Sequence, residues 1–112
     1  MIQSYPLSQQ AIKLLKANII KALEGIYDPE IPVNIYDLGL IYHINIDAAG
    51  NVKIEMTLTT PGCPVAQTFP SMVENVVNNV PGVNEASVEL VWDPPWTTEK
   101  MSEAAKLQLN IL

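Results

Sequence analysis

Between residues 8 and 26 the apolar positions Ile12, Leu15, Ile19, Leu23 and Ile26 recur at steps of three and four, as one buried helix face requires. Ser8 stands at the N-cap position and Gly25 at the stop, so the spacing predicts a helix running to about Glu24. "YDPEIPVNIYD" follows as a proline-punctuated loop. From Leu38 to Ile46 the period changes to two, with Leu38, Leu40, Tyr42, Ile44 and Ile46 on one face. "DAAGN" is a turn, and Val52, Ile54, Met56 and Leu58 alternate again, which predicts a β-hairpin. Helical spacing returns with Val65, Phe69, Met72, Val73, Val76, Val77 and Val80, and "PGVN" closes that element. Ala86, Val88, Leu90 and Trp92 predict a third strand, with Trp92 on its core face. Thr97 or Thr98 then caps a last helix through about Leu109.

The predicted order is α-β-β-α-β-α, without internal repeat or low-complexity tract, so residues 1–112 read as one domain. A right-handed crossover through the second helix makes strands two and three parallel, whereas the hairpin strands are antiparallel. The expected fold class is therefore α+β: a two-layer domain with a small three-stranded mixed sheet and helices packed against it. Pro70 sits awkwardly inside the second helix. Either the helix bends there, or residues 64–69 form a separate turn and the regular helix starts at Pro70. A continuous, bent helix is the expectation.

Composition narrows the function classes. Apolar residues make up 48% of 112, enough for a modest core. Net charge is −6, and no basic cluster relieves it, which argues against a nucleic-acid partner. No apolar run approaches a membrane span, and "MIQSYPLSQQ" does not read as a signal peptide. With one cysteine, these features point to a reducing, cytoplasmic setting.

That cysteine, Cys63, lies in "LTTPGCPVAQ", between Gly62 and Pro64. Pro64 suits the first position of a helix, so the sulfur would sit near a helix N-terminus that favours the thiolate. Thr59 and Thr60 add hydroxyls able to donate to it. The alternative is a cysteine packed as a small apolar side chain, but a Gly-Cys-Pro turn is no core position, and a reactive thiol is favoured. Asp28 and Glu30 share the "YDPEIP" loop. Asp28 before a proline is a good cap for one helical turn, and that role competes with a functional one. His43, the only histidine, falls inside a strand and is expected to face solvent or a partner in a structural role. Trp96 either closes the end of the core, the favoured role, or presents an aromatic anchor, which makes it the candidate partner-binding residue. One cysteine and one histidine cannot build a four-ligand zinc site. There is no Cys-x-x-Cys pair and no phosphate-binding glycine loop, so neither dithiol nor nucleotide chemistry is expected.

Three stretches, "DPEIPVNIYDLGLIY", "MTLTTPGCP" and "VWDPPWTTEKMSEAA", strongly resemble the SufT-like family of iron–sulfur cluster assembly domains. That family also includes PaaD and the eukaryotic cytosolic iron–sulfur assembly relatives. The resemblance covers nearly the whole chain and implies a compact α/β domain with the cysteine loop beside the acidic loop. It implies a functional site at Asp28, Glu30, Ile31, Thr59, Thr60 and Cys63. Two departures stand out: Pro70, where members more often carry an aliphatic residue, and the absence of the further C-terminal cysteines of PaaD-type members.

The resemblance implies a non-enzymatic maturation factor that handles an iron–sulfur cluster or iron transiently, in company with assembly proteins and apo-protein clients. A cluster takes about four protein ligands, and one Cys63 cannot supply them. Either two Cys63 thiolates meet in a homodimer, or Cys63 guides a cluster with a partner completing the shell. Two other readings remain: an adaptor that recruits clients without touching iron, and a thiol-based catalyst or redox protein.

Overall fold

A computed structural model describes residues 6–28, 31–59 and 68–110. Helix α1 spans Gln9–Leu23, with the Ser8 hydroxyl accepting from the Ala11 N–H at 3.1 Å, and it buries Leu15, Ile19 and Leu23. Strands β1 (Ile41–Ile46) and β2 (Asn51–Met56) form the hairpin, helix α2 (Phe69–Asn78) crosses over, and β3 (Glu85–Leu90) follows. A 3₁₀ turn at Thr98–Lys100 and helix α3 (Glu103–Gln108) complete the order. The sheet runs β1-β2-β3, antiparallel then parallel, so the α+β expectation with a mixed sheet holds and β2 is its centre. Among the described residues, no helix is long and apolar enough to cross a membrane.

The core lies between the sheet and the helices. Val52, Ile54 and Met56 project from β2 toward Ile19 and Leu23 of α1 and Val73 and Val77 of α2, all buried. Each such side chain contributes about 1.5–3 kcal/mol by leaving water. Asp47 sets the hairpin turn, accepting from the Ala49 and Asn51 backbone N–H groups at 2.9 Å each. These bonds, chiefly those from Asn51, hold its carboxyl below the ordinary 3.8.

Four local expectations need correction. The first strand begins at Ile41 rather than Leu38, because Gly39 takes φ +86° and ends the extended run. Leu38 and Leu40 are buried all the same, in the turn before the strand. A bulge between Ile41 and His43 takes Tyr42 out of the core row, and its hydroxyl donates to the Pro94 carbonyl at 2.7 Å. Burial, with Asp93 adding repulsion, raises the Tyr42 pKa. Helix α2 starts at Phe69 with Pro70 in its first turn, where proline removes no internal bond. The last helix is split: Met101 is extended at ψ 149° so that its side chain reaches the core, and the Ser102 hydroxyl caps α3.

Of the two tryptophans, Trp96 takes its favoured core role and Trp92 departs from the expected one. Trp92 lies beyond the end of β3 and is 41% exposed, so it is not a core residue. Trp96 packs against the core, and its indole N–H donates to the Leu38 carbonyl at 2.7 Å. His43 is exposed, level with Glu55 on the outer face of the sheet.

Candidate functional site

The acidic loop is built on Asp28. Its N–H donates to the Val33 carbonyl at 3.2 Å, and its carboxylate accepts from the Ile31 N–H at 2.8 Å. The side chain thus performs the capping role available to an aspartate before proline. It is nevertheless 9% exposed, an unusual burial for a carboxylate. Ile31, half-buried, packs against the core beside it, while Tyr27 on the other side is 58% exposed. Asp28 and Ile31 are thus brought together directly.

Thr59 stands just past β2, half-buried, where the chain leaves the sheet toward Cys63. Glu30, Thr60 and Cys63 lie outside the described residues, as does the expected helix start at Pro64. Three backbone bonds join the β2 exit to the acidic loop. Thr57 N–H donates to Leu40 at 2.9 Å, Leu40 to Ile35 at 3.1 Å, and Ile35 to Ile26 at 2.8 Å. This relay ties the segment leading into the cysteine loop to the segment leading into Asp28. Parallel β2 and β3 also end together, since Val91 N–H donates to the Met56 carbonyl at 2.8 Å. The exposed Trp92 therefore follows the same end of the sheet from which the cysteine loop departs.

Thr57 is a residue that sequence reasoning missed. Strict alternation places it opposite the core-facing row of β2, yet it is fully buried. Among the described residues its hydroxyl has no hydrogen-bond partner. The only signal was a polar residue inside "MTLTT", indistinguishable from its neighbours. A buried hydroxyl left unpaired costs about 1–3 kcal/mol, whereas valine of the same shape carries no such cost. Thr57→Val is expected to stabilise the fold by about 1 kcal/mol, read as a higher urea midpoint. A lower midpoint would mean that the hydroxyl is paired after all.

Among the described residues, no group of three or more His, Cys, Asp or Glu could hold a metal ion. The described portion therefore offers a buried carboxylate, a threonine at the strand exit and exposed aromatics, but no preformed metal cage.

Comparison with known proteins places this geometry in context. Residues 16–90 match the family model described as iron–sulfur cluster assembly protein, an interval that contains both the acidic and the cysteine loops. The chain is 45% identical over 97 residues to the Fe-S protein maturation auxiliary factor YitW of Bacillus subtilis, covering 87% of this chain and 95% of that one. It is 38% identical to the Fe-S protein maturation auxiliary factor SufT of Staphylococcus aureus, covering 77% and 98%. A crystal structure of a domain of unknown function from Bacillus anthracis superposes with a TM-score of 0.80 at 42% identity, covering 89% and 95%.

Proposed function

This chain belongs to the iron–sulfur cluster assembly protein family, and from that premise we propose that it is a maturation factor assisting cluster delivery to apo-proteins. The match over residues 16–90 carries the reading, because it takes in Asp28, Glu30, Ile31, Thr59, Thr60 and Cys63 together. In this reading Cys63 is the working group. Its thiolate ligates iron transiently, and the client or a donor protein supplies the remaining ligands. Thr59 and Thr60 supply hydroxyls able to donate to that sulfur, and Asp28 and Glu30 supply negative charge to the same site. The protein acts by carrying or guiding rather than by turnover.

The adaptor reading keeps one observation in its favour: Trp92 is the more exposed tryptophan, and so better placed than Trp96 to meet a client. Anaerobic transfer separates the two readings. An apo-protein client is mixed with a cluster donor, with and without this chain, and holo-protein is followed by absorbance. The maturation reading expects faster transfer together with iron on this chain. Binding to the client without any iron on this chain would favour the adaptor, and no effect on transfer would sink the delivery role.

A further inference from the structure

Two edges bound the sheet, and they are finished differently. Along β3 the outward donors are capped by α2: Ala86 N–H donates to Asn78 Oδ1 and Val88 N–H to Glu74 Oε2, both at 2.9 Å. On β1 the parity of the ladder follows from Asp47 N–H donating to the Asn51 carbonyl at 3.0 Å. His43 and Asn45 therefore bond to β2, while Ile44 and Ile46 turn their N–H and C=O groups to the outer edge. Among the described residues, those groups meet no cap of the kind found on β3. The strand reads IYHINI, without the charges or proline by which edges repel other strands.

The open stretch has limits at both ends. The bulge at Tyr42 closes one end, and Leu7 N–H occupies the Ala48 carbonyl at 2.8 Å at the other. The interval left between them is centred on Ile44. We propose that this edge pairs with β1 of a second copy, antiparallel about a two-fold axis at Ile44, to form a six-stranded sheet. In that register Ile44 meets Ile44 of the second copy on the core side. On the outer face the exposed His43 meets Asn45 of the second copy, twice. No two charged side chains come opposite each other, which matters for a chain of net charge −6. A self-complementary contact of this kind closes on itself, and the capped β3 edges stop further growth.

The pairing concerns the edge alone and does not rest on the iron–sulfur reading, but it constrains that reading. Met56 is level with Ile41, so the two-fold sends the two β2 exits to opposite ends of the joint sheet. Three strand spacings across and six residues along separate them by roughly 25 Å. That distance is the separation of the strand exits from which the two cysteine loops depart; Cys63 itself lies outside the described residues.

Sedimentation of the full chain from about 1 to 200 μM is expected to show a concentration-dependent dimer in this register. His43→Lys with Asn45→Lys, and His43→Glu with Asn45→Glu, should each weaken it more than tenfold, and mixing the two variants should restore a heterodimer. Both positions are exposed on the outer face, and thermal melts check that the variants fold. Independently, the Ile44 and Ile46 amides of the wild type should become protected from hydrogen exchange as concentration rises. A wild-type chain that stays monomeric, or variants that dimerise like the wild type, would overturn the proposal. Protection of those two amides at every concentration would overturn it as well, by assigning the edge to the chain itself.

Discussion

Gly39→Ala is expected to destabilise the fold by about 3 kcal/mol, a large share of the roughly 5–15 kcal/mol that holds a domain of this size together. Gly39 has φ +86°, a conformation that a side chain makes costly. A Cβ there would also run into the carbonyl of Lys100, in the 3₁₀ turn before α3. That obstacle is backbone, so no rotamer change relieves it. Nor can the turn retreat easily, because it is anchored on both sides of the collision. Trp96 Nε1–H donates to the Leu38 carbonyl at 2.7 Å, and Ser102 N–H to the Asp37 carbonyl at 2.8 Å. Moving Lys100 away would strain both bonds and disturb Met101, which is buried. Gly25→Ala is the matched control, since its Cβ would meet only the Ala22 carbonyl, at 3.3 Å, without a positive φ. Urea melts of the two variants should differ by most of the Gly39 penalty. Equal midpoints would show that the close approach contributes nothing.

The second large effect is chemical. Cys63→Ser is expected to reduce iron retention and cluster transfer by about tenfold or more while leaving the melting temperature near that of the wild type. Serine keeps the size of the side chain but not the soft, readily ionised sulfur that iron binds. Asp28→Asn should slow transfer by a smaller factor. The amide oxygen can still accept from the Ile31 N–H, so the turn survives while the charge is lost. The order of the two losses is the discriminating measurement, read as absorbance after anaerobic reconstitution and as the rate of holo-client formation. Cluster absorbance that persists unchanged in the serine variant would remove Cys63 from the iron, leaving the adaptor reading. A variant that loses both transfer and thermal stability would assign Cys63 to the core instead.

The edge asymmetry has a bearing on both experiments. Iron per chain, measured below and above the dimerisation range, reads whether the two Cys63 loops act separately or together. Glu74 and Asn78 matter here because they spend side-chain acceptors on backbone donors that would otherwise invite another strand.

Local pattern alone determined α1 with its Ser8 cap, the hairpin, the parallel third strand and the mixed sheet. It did so because a helix face and a strand face impose their periods over neighbouring residues, and because a crossover has one favoured hand. The motifs also carried the family, since a loop's chemistry is written contiguously along the chain. Tertiary structure alone decided that β2 is central, that α3 is separated from its 3₁₀ turn, and that Trp92 faces outward. Only the fold buries the Thr57 hydroxyl with no partner among the described residues and makes Lys100 the backbone that Gly39 meets. Each of these depends on segments distant in sequence arriving at one place, and no local period encodes which segments will meet.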